Sequence, residues 1–159
     1  MRFEFTTAAK ILFGPGTARE VPALAHSMGR RALVIGGRSA ERTSGLIRGL
    51  QEQAVETVAF SVSREPTTEI VLEGLALARA QGCDLVIGMG GGSVIDAGKA
   101  IAALMTNPGG LFDYLEVIGR AQAVTVPPAP YIAIPTTAGT GTEVTRNAVI
   151  ISPEHKVKV

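Results

Sequence analysis

The sequence predicts an α/β fold in which a mostly parallel sheet carries helices on both faces. Short apolar runs alternate with segments whose apolar residues recur at helical spacing, in the order β-α-β-α-β-α. The connections are only a few residues long. Because right-handed crossovers bring the ends of parallel strands to one edge, the loops that follow the strands should converge there. Glycine clusters after two of the apolar runs point to ligand binding at this edge.

Eight short apolar or alternating runs are predicted to be strands. They cover residues 2–6, 11–13, 31–35, 55–60, 85–87, 131–134, 146–151 and 156–159. The first run alternates Phe3 and Phe5 with polar neighbours. The runs at 31–35 and 85–87 are instead continuously apolar, as expected of strands that are buried on both faces.

Five segments with helical spacing are predicted to be helices. They cover residues 17–28, 43–53, 67–81, 93–106 and 111–119. Thr17 is an expected N-cap, as is Thr67 or Thr68, and Gly29 suits the end of the first helix. Residues 63–67, which contain a proline, are expected to form the loop before the third helix.

Composition indicates a single globular domain. The 159 residues are 46% hydrophobic and 18% charged, with a net charge of +1. The sequence lacks a block of basic residues of the kind that binds nucleic acid, and no run approaches the roughly 20 apolar residues of a membrane span. We therefore expect neither nucleic acid nor a membrane as a partner. The single cysteine, Cys83, excludes an internal disulfide and fits a reducing compartment, so we expect a cytoplasmic protein with a buried, unreactive thiol.

One stretch, residues 83–100, combines the parts that a phosphate-binding turn needs. The strand at 85–87 leads into a glycine cluster at 88–92, and a helix follows. Glycines carry no Cβ that would keep a ligand away, and the N–H groups of a helix N-terminus favour an anion such as a pyrophosphate. Ser93 fits as the N-cap, with Asp96 completing a capping box. The pattern departs from the common dinucleotide and P-loop fingerprints, so a tight turn without a ligand is the alternative.

A second candidate region follows the strand at residues 131–134. Residues 136–145, called the threonine loop below, contain five threonines and two glycines. Small hydroxyl groups beside a strand end suit hydrogen bonding to a ribose or a phosphate. An ordinary loop that is capped by its own side chains is the alternative.

Two segments carry a family resemblance. Residues 90–100, Gly-Gly-Gly-Ser-Val-Ile-Asp-Ala-Gly-Lys-Ala, and residues 134–145 resemble the two signatures of the iron-containing (group III) alcohol dehydrogenases. Residues 3–16 and 65–67 match the same pattern. Maleylacetate reductases belong to this superfamily. Glycerol dehydrogenases and dehydroquinate synthases share the fold, but the threonine loop favours the alcohol dehydrogenase branch.

The resemblance implies a Rossmann-like domain that binds NAD or NADP, the N-terminal half of a dehydroquinate-synthase-like two-domain fold. It implies hydride transfer between the nicotinamide and a small alcohol, aldehyde or keto substrate, and a homodimer that pairs through its N-terminal strand. The residues expected to hold the cofactor are Gly37, Arg38, Ser39, Gly90, Gly91, Gly92, Ser93, Asp96, Thr136, Thr137, Thr140, Thr145 and Lys158. For Lys158, a solvated lysine on an edge strand is the alternative.

The loop after the strand at 31–35 bears on the choice between NAD and NADP. Members of the family that prefer NAD usually carry an aspartate here, whereas this chain has Gly37, Arg38 and Ser39. An acidic group would repel a 2′-phosphate, and a glycine followed by an arginine would accommodate one. We therefore predict that NADPH is tolerated or preferred.

The chain also differs from the family pattern in its metal ligands. The family holds iron (or zinc) through an aspartate and three histidines in a helical C-terminal domain. This chain has only His26 and His155, and neither lies in such a motif. We therefore expect residues 1–159 to be the cofactor-binding half of a longer enzyme and to be inactive alone, because the metal polarises the substrate oxygen. No catalytic residue can be named, and a non-catalytic nucleotide-binding or dimerisation module is the alternative.

Overall fold

The computed structural model describes residues 1–3 and 7–159 and confirms a Rossmann-like α/β fold. The four strands of its parallel sheet are β1 (Arg31–Gly36), β2 (Glu56–Ser61), β3 (Leu85–Gly90) and β4 (Tyr131–Pro135). They lie in the order β2-β1-β3-β4. Gly36 is in register with Ser61, and Gly90 is in register with Pro135. The loops after all four strands therefore meet at one edge of the sheet.

Helices cover both faces of the sheet, as predicted. They are α1 (Val21–Met28), α2 (Glu41–Glu52), α3 (Thr68–Ala80), α4 (Gly92–Thr106) and the single turn α5 (Leu111–Tyr114). Alternate residues of β1 divide between two cores. Leu33 and Ile35 pack with α3 and α4, whereas Ala32 and Val34 pack with α1 and α2. Burial on both faces explains why the central strands are continuously apolar. None of the described helices combines the length and apolar character needed to cross a membrane.

A short antiparallel hairpin lies beside the loop that follows β2. Its strands are β5 (Ile151–Ser152) and β6 (Val157–Lys158). Ile151 forms an isolated parallel bridge with Thr67, and its amide donates to the carbonyl of Pro66 at 2.9 Å. The hairpin therefore carries Lys158 to the edge where the loops of the main sheet meet.

The N-terminal strand predictions are not supported. Residues 11–13 form no strand, because no other strand pairs with them in the described part of the chain. Their side chains are exposed, and Phe13 is 98% accessible. Phe3 is likewise exposed and outside any strand, whereas Phe5 lies outside the described residues.

Three further boundaries are corrected by local contacts. Thr17 is the first residue of a 3-10 turn (Thr17–Glu20) rather than an N-cap, and its hydroxyl donates to the carbonyl of Gly14. The helix predicted at 111–119 ends at Tyr114, since the next residue, Leu115, adopts an extended backbone with a ψ of 133°. Of the strand predicted at 146–151, only Ile151 lies in a strand, as the first residue of β5.

The N-cap expected before the third helix is confirmed. The Thr67 hydroxyl accepts a hydrogen bond from the amide of Ile70 at 3.3 Å, and α3 begins at the next residue, Thr68. Its extended backbone, with a φ of −95°, is typical of an N-cap residue. This cap fixes the end of the loop at 63–67, which forms part of the site described next.

Candidate functional site

A cleft of about 410 Å³ opens at the edge of the sheet where the strand-end loops meet. Its walls are the start of α4, the threonine loop with the residues after it, the hairpin, and the loop before α3. The residues that line it are Glu65, Pro66, Gly92, Ser93, Asp96, Thr140, Thr142, Thr145, Asn147, Val149, Ile151 and Lys158. Residues far apart in sequence that were predicted to hold a cofactor thus share one cavity.

The glycine turn after β3 shapes one wall of the cleft. Gly91 is the N-cap of α4, and the three glycines from Gly90 to Gly92 all avoid positive φ. The turn itself therefore does not demand glycine. A Cβ on Gly90 would instead lie 2.5 Å from Val94 Cγ2, and a Cβ on Gly91 would lie 3.3 Å from the hydroxyl of Thr137. Glycine is needed here because the helix and the threonine loop approach the strand end closely.

The capping box predicted for Ser93 and Asp96 is wrong. Ser93 lies inside the first turn of α4, one residue after its start. The Asp96 carboxylate instead accepts a hydrogen bond from the Thr142 hydroxyl and lies 3.1 Å from the ammonium of Lys99. Asp96 and Lys99 form an ion pair one helical turn apart, and both side chains are almost buried, at 13% and 12% exposure.

The threonine loop divides into two parts. Its first residue, Thr136, donates its amide to the carbonyl of Gly90 at 2.9 Å, and the Thr137 side chain lies against Gly91. Neither of these two threonines lines the cleft, whereas Thr140 and Thr145 do. The loop is also partly capped by its own side chains, since the Thr145 hydroxyl donates to the carbonyl of Thr142 at 3.3 Å.

Lys158 faces the cleft from the hairpin. Its ammonium lies 2.6 Å from a carboxylate oxygen of Glu65, and both side chains are about half exposed, at 55% and 54%. The pair joins the hairpin to the loop before α3. Lys158 is thus held by a specific partner at the cleft rather than fully solvated.

Gly37, Arg38 and Ser39 lie at the same edge of the sheet but outside the cleft lining. Arg38 Nε donates to the carbonyl of Ser63 at 2.9 Å, and the Ser61 hydroxyl donates to the carbonyl of Gly37 at 3.1 Å. A Cβ on Gly37 would meet no atom within 4 Å. The loop after β1 is therefore tied to the neighbouring loop and open to a larger side chain.

Sequence reasoning missed several residues of the site, of which Lys99 is the most connected. Asp96 and Lys99 are the only charged residues of α4, and that isolation within an apolar helix was an available signal. Glu65 belongs to a segment that carried the family resemblance but was not assigned to the site. The contribution of Asn147 is its backbone carbonyl, which accepts from Lys99, and side-chain identity gives no sign of that.

Tyr131, the first residue of β4, packs between α4 and β3, and this contact is called the floor behind α4 below. Its hydroxyl donates to the carbonyl of Ile95 at 3.0 Å, and a Cβ on Gly88 or Gly98 would lie within 2.7 Å of that hydroxyl. Burial, with a smaller contribution from the charge of Asp96, raises the pKa of Tyr131 above its ordinary value. The side chain is therefore a protonated structural donor and not a base.

The residues present do not fit a metal centre. The described ranges contain no group of three or more histidine, cysteine, aspartate or glutamate side chains that could hold a metal ion. His26 is exposed on α1 beside Arg30. His155 Nδ1 lies 2.9 Å from the Ser152 hydroxyl, and its ring centroid lies 5.8 Å from that of Phe112.

Comparison with known proteins agrees with this geometry. The 4-hydroxybutyrate dehydrogenase of Cupriavidus necator is 39% identical over 118 residues, which cover 74% of this chain and 30% of that protein. A crystal structure of 1,3-propanediol oxidoreductase matches with a TM-score of 0.89 and 31% identity, over 99% of this chain and 42% of that one. Sulfoacetaldehyde reductase from Bifidobacterium kashiwanohense, in complex with NAD+, matches with a TM-score of 0.86 and 27% identity, over 100% and 42%.

The relatives are much longer than this chain. The chain spans 30% of the C. necator enzyme and 38% of the probable alcohol dehydrogenase EutG of Escherichia coli, to which it is 37% identical. A family model described as iron-containing alcohol dehydrogenase matches residues 8–159. With the fold, both signatures and nearly its whole length in agreement, the chain belongs to the iron-containing alcohol dehydrogenase family of oxidoreductases.

Proposed function

We propose that residues 1–159 form the nucleotide-binding half of an NAD(P)-dependent oxidoreductase that interconverts an alcohol and a carbonyl compound. The observation that carries this proposal is the cleft at the sheet edge, which the start of α4, the threonine loop and Lys158 all face. The NAD+ complex of one relative supports a nicotinamide cofactor. The remaining half of the active site, with the metal ligands, is proposed to lie outside these residues.

The start of α4 is the proposed binding place of the pyrophosphate. The amides of Val94 and Ile95 both donate to the carbonyl of Gly91, so the amides of Gly92 and Ser93 precede the first bonds within the helix. Such amides, together with the dipole of a 15-residue helix, favour an anion. Gly92 leaves the approach to these amides open, because it carries no side chain.

The opposite walls supply donors for the sugar and phosphate oxygens. Thr140 presents a hydroxyl donor from the threonine loop, and Lys158 brings an ammonium from the hairpin, whereas the Thr145 hydroxyl, which donates to the carbonyl of Thr142, would accept from a ribose hydroxyl. A phosphate offers several acceptors to such donors, and a ribose hydroxyl can both donate and accept. These three residues would therefore orient the cofactor after the helix has captured its phosphates.

When bound, the nicotinamide supplies hydride transfer to or from a substrate carbon. The residues described here bind and orient the cofactor, and no proton transfer is assigned to them, because Tyr131 is committed to the carbonyl of Ile95. The proposed substrate class is a small alcohol, aldehyde or keto compound. No step is assigned to a metal in these residues, since they offer no ligand cluster within the described ranges.

NADPH is proposed to be tolerated or preferred over NADH. Gly37 presents no carboxylate to a 2′-phosphate, and Arg38 stands beside it, exposed and anchored by Nε to the next loop. A guanidinium in this position can pair with a phosphate.

A second copy of the chain is the proposed partner. Phe13 and Phe3 are 98% and 83% exposed, and Ile11 is 61% exposed. Large apolar side chains gathered on one segment are typical of an interface. Sedimentation should therefore detect a dimer that Phe13→Ser weakens, and a monomeric wild type would contradict the proposal.

Calorimetric titration with NADH and with NADPH tests cofactor binding. One variant tests whether the pyrophosphate binds at the start of α4. Ser93→Asp places a negative charge in the first turn of α4, where it stabilises the helix but repels a pyrophosphate. We expect the wild type to bind, Ser93→Asp to lose binding without losing stability, and Ser44→Asp, in the first turn of α2, to bind as the wild type does. A wild type that binds neither nucleotide overturns the proposal and favours a non-catalytic structural module.

A further inference from the structure

The ammonium of Lys99 is surrounded by hydrogen-bond acceptors from the threonine loop, from Asn147 and from Asp96. Its Nζ donates to the carbonyl of Thr142 at 2.8 Å and to the Thr142 hydroxyl at 2.6 Å, and it also reaches the carbonyl of Asn147. The Thr145 carbonyl and hydroxyl lie at 3.4 and 3.3 Å, and Asp96 Oδ1 lies at 3.1 Å. An ammonium has three donors, so several acceptors from one loop compete for this one group.

These contacts join two separate walls of the cleft. Lys99 and Asp96 belong to α4, whereas Thr142, Thr145 and Asn147 belong to a segment with no regular structure beyond a 3-10 turn at Thr142–Val144. In the described part of the chain, every hydrogen bond that ties residues 137–147 to α4 ends on Lys99 or Asp96. The hydrogen bonding of the threonine loop to the helix therefore depends on this buried pair.

Lys99 stands behind the cleft and not in it. Its side chain is 12% exposed, and it is absent from the residues that line the cavity. Its charge already faces the carboxylate of Asp96. A phosphate in the cleft would therefore meet the hydroxyls that Lys99 holds rather than the ammonium itself.

From this arrangement we infer that Lys99 is a positioning residue, which fixes the threonine loop against α4 so that Thr140 and Thr145 are pre-ordered for the cofactor. The inference rests on the proposed function, because it assigns the loop to cofactor binding. A wall that is ordered before binding avoids the entropy cost of ordering at the moment of association, and a loosened wall lowers affinity.

The test compares Lys99→Met with the wild type in two measurements. Amide hydrogen exchange of residues 137–147 without cofactor reports whether the loop is held, and NADH titration reports affinity. We expect exchange in the loop to accelerate about tenfold or more and the Kd to rise about tenfold or more, while exchange in β1 and β3 stays unchanged. Arg79→Met is the matched control, since it removes a cation that donates to the carbonyl of Leu104, away from the cleft.

Chemical rescue separates positioning from a general loss of packing. With Cys83, the sole cysteine, replaced by alanine, Lys99→Cys can be converted under denaturing conditions to S-aminoethylcysteine, which restores an ammonium of nearly lysine length. Refolded protein should then recover both loop protection and NADH affinity. If Lys99→Met does not fold because Asp96 is left buried and unpaired, Asp96→Asn and the double variant Asp96→Asn/Lys99→Met form the pair to compare.

The outcomes distinguish this inference from the proposed function. Wild-type loop exchange in Lys99→Met, or a loosened loop with an unchanged Kd, overturns the inference while cofactor binding stands. A weaker salt dependence of binding without loop loosening makes Lys99 a direct phosphate ligand and also overturns it. A wild type that binds neither nucleotide overturns the proposed function and, with it, the role of the loop in binding.

Discussion

The ammonium of Lys158 lies 2.6 Å from the carboxylate of Glu65, and this ion pair spans the cleft between the hairpin and the loop before α3. Carboxylate and phosphate oxygens seek the same charged donors. Glu65 therefore competes for Lys158 with any anionic group that enters the cleft. Lys158, which is predicted to contact the cofactor, is thus already paired with Glu65 when no cofactor is bound.

Glu65→Gln should tighten NADH binding, because it releases Lys158. The gain should be about 1.5- to 5-fold in Kd, since exposed ion pairs contribute only about 0.2–1 kcal/mol. Titration at low and high salt measures the effect, which salt should reduce. Glu69→Gln is the control, because it removes the same charge at the start of α3 without a contact to Lys158. Equal tightening in the two variants, or weaker binding in Glu65→Gln, would contradict the competition.

Gly37→Asp should shift cofactor preference away from NADPH. The new side chain has room, since a Cβ at this position meets no atom within 4 Å, so the fold should tolerate it. Repulsion between the aspartate and a 2′-phosphate should lower the ratio of NADPH to NADH affinity by about tenfold or more. Gly37→Asn has nearly the same shape without the charge and should leave the ratio near that of the wild type. An unchanged NADPH affinity in Gly37→Asp would place the 2′-phosphate elsewhere.

The sheet could be predicted from the sequence because its central strands, β1 and β3, are apolar on both faces. The runs at 31–35 and 85–87 admit few other environments, and the helices between them repeat with short connections. The convergence of the loops then followed from topology. Residues 11–13 are equally apolar, yet they form no strand, since apolar character alone does not supply a neighbouring strand.

The details of the site escaped prediction where backbone atoms decide them. The capping box at Ser93 had the right residue types, but Gly91 caps α4 and Asp96 is drawn to Thr142 and Lys99. Likewise Gly29 does end α1, but with an extended φ of −166°. Glycine is required there because a Cβ would lie 2.6 Å from the carboxylate of Asp84, a residue 55 positions later. Such tertiary contacts leave no local pattern.

Gly90→Ala should destabilise the fold, whereas Gly45→Ala should stabilise it. A Cβ on Gly90 would lie 2.5 and 2.7 Å from atoms of the branched Val94 side chain, and relieving that overlap should cost about 1–3 kcal/mol in the free energy of unfolding. Gly45 is exposed inside α2 with no atom near its Cβ position, so alanine should add about 0.5–1 kcal/mol. Urea unfolding followed by circular dichroism measures both. A Gly90→Ala variant as stable as the wild type would mean that the tight approach at Gly90 relaxes without cost, and a destabilised Gly45→Ala variant would contradict the prediction for α2.

Tyr131→Phe should change the pH dependence of stability in the alkaline range. Loss of the hydrogen bond to the carbonyl of Ile95 should cost about 0.5–1.5 kcal/mol at pH 8. Burial raises the pKa of Tyr131 in the folded state, whereas in the unfolded state it titrates near 10, so above about pH 10 the unfolded state loses a proton that the folded state keeps. Ionisation then favours unfolding of the wild type alone.

The free energy of unfolding of the wild type should accordingly fall towards that of Tyr131→Phe by about 1.4 kcal/mol between pH 8 and 11. Urea unfolding of both proteins at pH 8, 10 and 11 measures the difference, and the groups that titrate in both proteins cancel. Parallel curves across this range would mean that the hydroxyl of Tyr131 reaches water in the folded protein. In that case the floor behind α4 is less tightly closed than its contacts with Gly88 and Gly98 indicate.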